Sequence, residues 1–279
     1  MNHSAELVSI YSLPLIILSF VIAACASFCA LELVVKVSGA SGRTRRLWLW
    51  AGAATFGLGT WTMHFVGMLA FDLSMPIGYH IPTVILSMLP VMGAAALALS
   101  LAAGERLTKG RLVGGAVLLG SGIGGMHYSG MLSMRMEATT YYDPKFLLVS
   151  VLFAVGASLF ALHATFNSRD EYTYSGDRFI SAGIMGGAIT GLHFTAMINA
   201  SHFTATDRAI PGGTIVSPLT TAAPTGAFVV QVPAAGAVVI ALVMFAIIAA
   251  VLQQARRADS ARTTKATDTP VVTAGSAGD

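Results

Sequence analysis

Charge is what this sequence has least of. Only 10% of its 279 residues are Asp, Glu, Lys or Arg, against roughly 25% in typical soluble domains, and the mean hydropathy is +0.73. An ordinary water-soluble fold is excluded. No Lys or Arg precedes the first apolar run, so the positive segment that opens a signal peptide is missing. Although Ile22-Ala23-Ala24-Cys25 faintly resembles a lipoprotein cleavage box, the segment reads as a retained helix. Cysteine is scarce too: Cys25 and Cys29 lie four apart on that helix, a thiol pair or, more commonly, small apolar-facing side chains.

What remains is apolar sequence in long uncharged runs, each able to hold the roughly 20 residues that cross a bilayer as a helix. The reading is an all-α integral membrane protein with seven transmembrane helices, at about 9–35, 47–71, 84–103, 112–134, 146–165, 179–200 and 234–252. Residues 1–253 form the membrane domain, and the Ser/Thr/Ala/Gly-rich 254–279 a disordered cytoplasmic tail. No soluble catalytic domain is expected at either end. Thirteen of the sixteen Lys and Arg residues fall on one side, after the first, third, fifth and seventh helices. The other side has Arg135, Lys145 and Arg208. By the positive-inside rule the N-terminus is outside and the C-terminus cytoplasmic. The net charge of +3 thus sets topology and is no nucleic-acid signal.

The chain also repeats itself. "MHFVGM" (63–68), "MHYSGM" (126–131) and "LHFTAM" (192–197) share one pattern, and Gly57, Gly120 and Gly186 each stand seven residues before the histidine. The preceding helices match as well, in "ASFCAL" (26–31) and "ASLFAL" (157–162), with "AAALAL" (94–99) a weaker counterpart. The body is therefore three two-helix repeats plus a C-terminal helix.

Within each phrase His and Met are four apart, on one helical face and one turn from each other. All three phrases lie at similar depth in the outer half of the membrane. If the repeats pack about a common axis, His64 with Met68, His127 with Met131 and His193 with Met197 converge as a ligand set. Imidazole suits several metals, whereas thioether favours copper(I). With neither carboxylate nor cysteine at that level, copper is expected over zinc, and magnesium or calcium is disfavoured. Met63 and Met126 add sulfur as outer ligands or as core; Leu192 takes that place in the third phrase.

A competing explanation is structural. Met is common in apolar helices, and one intramembrane His can simply bond a neighbouring helix. Three copies at one repeat position, with ionisable groups costly in a membrane, favour metal or gas-ligand chemistry. The nearby Gly59, Gly122, Gly124, Gly125, Gly187 and Gly191 read as helix-packing contacts. His80 and His202, with Met75, Met134 and Met136, fall in outer loops, where solvated side chains and an inward path for a metal are both open readings. His163 and Glu32 lie near the inner side, with Glu32 at the interface or paired with a loop base.

The three phrases, each near the outer end of every second helix, resemble the MHYT domain of bacterial integral-membrane sensors. That resemblance implies copper held by Met, His and aromatic residues near the outer face. It also implies sensing of oxygen, carbon monoxide or nitric oxide, in proteins often fused to cyclic-di-GMP synthesis and breakdown domains. Met63, His64, Met68, Met126, His127, Tyr128, Met131, His193 and Met197 match its motif. Phe65 and Phe194 replace the motif tyrosine, and Leu192 and Ala196 make the third arm the poorest in ligands. With no output domain expected after the seventh helix, the signal would pass to a separate cytoplasmic partner. Two further readings stand beside the sensor: a copper-handling or oxidase-assembly protein, and a metal transporter, which the lack of a matching ligand ladder in the inner half disfavours. No nucleophile–base pair or carboxylate cluster points to an enzyme.

Overall fold

The computed structural model describes residues 10–72, 76–102, 108–136, 138–167, 175–198, 200–204, 215–216, 229–230 and 253. The expected seventh helix at 234–252 and the tail at 254–279 lie outside them. The described chain is mostly helical. It runs β1 (Ile10–Tyr11), α1 (Leu13–Ser38), α2 (Gly42–Leu69), β2 (Phe71–Asp72), β3 (Gly78–His80), α3 (Ile81–Leu86), α4 (Met88–Ala102) and α5 (Lys109–Met131). It continues through β4 (Met134–Arg135), β5 (Ala138–Tyr142), α6 (Pro144–Asn167), α7 (Ser175–Ile198), β6 (Ala200–Thr204), β7 (Ile215–Val216) and β8 (Val229–Val230).

Among the described residues, four helical stretches are long and apolar enough to cross a membrane: Leu13–Ser38, Ile81–Leu101, Pro144–Ala164 and Arg178–Met197. The second of these spans α3 and α4, which are divided at Ser87; Trp61 Nε1 donates to Val84 O at that break (2.9 Å). α2 and α5, with 28 and 23 residues, are as long but less apolar. Their inward faces explain the difference, being built of small and polar side chains such as Gly52, Thr55, Gly59, Thr60, Gly120 and Gly124. C-terminal to Trp50 on α2, Val117 on α5 and Ile184 on α7, no large hydrophobic side chain is exposed among the described residues, whereas α6 exposes Leu148, Leu152, Phe153 and Phe160. The C-terminal halves of α2, α5 and α7 therefore line the interior, and α1, α4 and α6 carry much of the apolar outer surface.

The helices pack as a closed ring, α1 on α2, α2 on α4, α4 on α5, α5 on α6, α6 on α7 and α7 back on α1. The three repeat glycines make the joints. A Cβ on Gly57 would strike Met92 of α4; one on Gly120 would lie 2.7 Å from the backbone of Val155 in α6; one on Gly186 would lie 2.7 Å from that of Ala24 in α1. Each repeat thus presses its second helix against the first helix of the next, and the third against the first. Only a residue without a side chain permits this approach.

The short strands add to the all-helical expectation. β1 pairs with β2, β3 with β4 and β5 with β6, all antiparallel, so each helical hairpin is closed by a ladder joining its start to its end. β8 and β7 lie against β3 and β5. The strands pair their own backbone groups with one another just where the helices stop. Together they cap the end of the bundle where α2, α5 and α7 finish.

Candidate metal centre

His64, His127 and His193 each sit within the last turn and a half of α2, α5 and α7, immediately beneath the strand cap. All three are fully buried, at 0%, 1% and 1% exposure. Their Nδ1 atoms meet, 3.0 Å apart for His64 and His193, 3.2 Å for His127 and His64, and 3.3 Å for His193 and His127. The rings stand edge to face around that point, with centroids 4.9, 4.9 and 5.2 Å apart. It is the only group of three metal-ligating His, Cys, Asp or Glu residues among the described residues.

This triangle is frustrated without a cation. A ring nitrogen of neutral imidazole is either a donor or an acceptor, so among three that face one another at least two are alike and repel. A positive ion at the centre turns all three lone pairs into favourable contacts. The size also fits: the centre of such a triangle lies about 1.8 Å from each nitrogen, against roughly 2.0–2.1 Å for a metal–imidazole bond. Each ring would need to retreat by only ~0.2 Å. The three Nε2 atoms, turned outward, are buried and make no hydrogen bond. Those of His64 and His193 abut Gly130 and Gly67, where a Cβ would collide with the ring. The fifth residue of the phrase therefore leaves room for the imidazole of another repeat.

The remaining predicted residues divide between two clusters. Met68, Met131 and Met197 turn toward the cap and pack with Phe71, Tyr79, Tyr142, Met134 and Met136. Met63 and Met126 belong to the main helical core, together with Leu192. The histidines separate the two layers. Tyr128 stacks edge-on against His127 (4.9 Å) and its hydroxyl bonds that of Ser150 (2.7 Å). His80 is half-buried, its Nδ1 2.8 Å from the Thr83 hydroxyl at the start of α3. Glu32 pairs with Arg178 at 3.0 Å, tying α1 to α7, and His163 is exposed. His202 lies on β6 opposite Thr140; Met75 falls outside the described residues. Cys25 is half-buried and Cys29 buried.

Sequence reasoning missed a set of three tyrosines. Tyr11, Tyr79 and Tyr142 each stand two residues before the helix that opens a repeat. Each packs edge-on against the aromatic residue that follows the histidine of the preceding repeat. The pairs are Tyr79 on Phe65 at 6.0 Å, Tyr142 on Tyr128 at 5.9 Å and Tyr11 on Phe194 at 6.0 Å. Burial pushes the Tyr79 and Tyr142 phenols above their ordinary range, so both rings stay neutral anchors. Three chains, histidine to aromatic to tyrosine, thus tie the centre to the cap. A signal was present in "YSLP" (11–14), "YHIP" (79–82) and "YYDP" (141–144), with the third tyrosine doubled and shifted by one.

A helical membrane protein of three like repeats closed around a buried histidine triad is the class these observations define. The sequence profile of a family described as "MHYT: Bacterial signalling protein N terminal repeat" matches residues 57–115 and 120–173. The chain is 42% identical over 200 residues, 70% of its length, to the bifunctional diguanylate cyclase/cyclic di-GMP phosphodiesterase MucR of Pseudomonas aeruginosa. It is 39% identical over 67% of its length to the cyclic di-GMP phosphodiesterase NbdA of the same organism, and 34% over 72% to the signaling protein YkoW of Bacillus subtilis. The chain belongs to the MHYT family of signalling proteins. The matched region makes up 28%, 24% and 25% of those relatives, so the chain spans about a quarter of their length. No solved structure matches it.

Proposed function

We propose that residues 1–253 form a membrane sensor module that holds copper in the triangle of His64, His127 and His193. The module crosses the bilayer seven times, with the strand cap at the outer face and the C-terminus in the cytoplasm. The observation that carries this reading is the wholly buried Nδ1 triangle of 3.0–3.3 Å. Thioethers on its cap side favour copper over zinc, since thioether ligands select copper(I). Copper held there supplies a one-electron couple and affinity for oxygen, carbon monoxide or nitric oxide.

The chain's own part is to fix the rings and transmit their movement. The His64 and His193 imidazoles are each backed by the next repeat's glycine, Gly130 and Gly67, and all three imidazoles are held by their aromatic–tyrosine chains. A change in the separation of the three rings therefore acts on α2, α5 and α7 together, and the ring of helices carries it to the cytoplasmic ends. Read-out belongs to a signalling partner on that side, in keeping with the signalling relatives.

The test is the metal content of the purified wild type and of a folded His64→Ala/His127→Ala/His193→Ala variant. The expected result is about one copper lost with the three imidazoles; equal content in both removes the reading. An absorption change on adding nitric oxide or carbon monoxide to the copper-loaded protein supports sensing. An inert spectrum assigns the copper to handling or oxidase assembly instead.

A further inference from the structure

We infer that the cap holds a second, sulfur-only copper(I) position, built by Met134 and Met136 with the motif thioethers of Met68, Met131 and Met197. This rests on the copper reading of the histidine triad and adds a site to it. Methionine is distributed very unevenly between the two buried clusters. It supplies five of the nine buried residues on the cap side of the histidines, but two of the twenty-four in the main core. If methionine served only to fill gaps in apolar packing, the larger core would use it at a similar rate.

The five come from the ends of three helices and from the short segment that follows α5. Met68 and Met131 are the penultimate and last residues of their helices, Met197 is the penultimate residue of α7, and Met134 lies on β4 opposite Tyr79. Met136 follows β4, and every one of the five is 0–1% exposed. Neither Met134 nor Met136 belongs to the repeated phrase, and neither has a counterpart in the other two repeats. A second observation points to a guest in the same cluster: the Tyr142 hydroxyl is buried there and makes no hydrogen bond. Unpaired buried polar groups are costly, and a polar or charged guest would compensate it. Thioethers without carboxylate or thiolate select a soft monovalent cation, which excludes zinc and magnesium.

The position therefore lies between the outside and the imidazole triangle, where a copper(I) ion is received before or beside the histidine-bound one. The test is copper(I) titration of the detergent-solubilised full chain against the Met134→Leu/Met136→Leu variant, which keeps the volume and removes the sulfur. The expected result is one fewer copper(I) per chain in the variant, while the triple histidine variant keeps a copper(I) with sulfur-only X-ray absorption. Unchanged copper(I) binding in Met134→Leu/Met136→Leu overturns the proposal, whatever the histidine variant does. Loss confined to the methionine variant leaves this site standing and removes the histidine one. If the leucine variant does not fold, X-ray absorption of silver(I) on the wild type decides: a sulfur shell supports the site, and a nitrogen-only shell sinks it.

Discussion

In the second repeat the histidine follows Met126 and stands three residues before Gly130; in the third, those places hold Leu192 and Ala196. His127 and His193 are nevertheless equally buried, and their Nδ1 atoms are 3.3 Å apart. The features common to both repeats are the histidine, the aromatic residue after it, the methionine four on, the tyrosine before the next repeat and the glycine seven residues back. The first methionine varies because it packs in the general core, where Met126 and Leu192 do the same work. The difference between the repeats thus separates the letters that build the centre from those that merely fill space.

That separation can be broken at the joints, at the triangle and in the core. Gly120→Ala and Gly186→Ala set a methyl group against backbone atoms 2.7 Å away, which have no side chain to swing aside. Each is expected to lower stability by about 1–3 kcal/mol, read as a reduced melting temperature in detergent, and no change would undo the account of the joints. Gly130→Ala drives a methyl group into the His64 ring. Copper binding should weaken roughly tenfold, about 1.4 kcal/mol, while Ala196→Gly, at the equivalent place, leaves the affinity near the wild type. Smallest is Leu192→Met, a near-isosteric swap in the core. It should cost under about 1.5 kcal/mol and leave copper stoichiometry unchanged; a gain of copper would return the first methionine to the ligand set.

The phrases and glycines were legible because each histidine, with its companions, recurs at fixed spacing inside a helix, where sequence distance maps directly onto a face. Convergence of His64, His127 and His193 followed from that periodicity. The Tyr11, Tyr79 and Tyr142 collar did not, since Tyr11 stands before the first repeat, far in sequence from Phe194, and the third tyrosine is displaced by one residue relative to its proline. The strands were also hidden, most being only two or three residues long and none showing alternation. α2 and α5 are the instructive pair for membrane reading. Their glycines, threonines and histidines depress apparent hydropathy because those faces look inward, so an uncharged run signals them better than a hydropathy threshold does.

The joint between α7 and α1 sets an order on assembly. Tyr11, at the start of the described chain, meets Phe194, and His64 meets a histidine 129 residues later. During synthesis the first two repeats can emerge and pair while the triangle still lacks a corner. Contacts this distant along the chain are slow to form, so the centre exists only once α7 has swung into place beside α1. Capture of the proposed copper would then be the final act of biogenesis, since a chain stalled before its third repeat has no centre to fill.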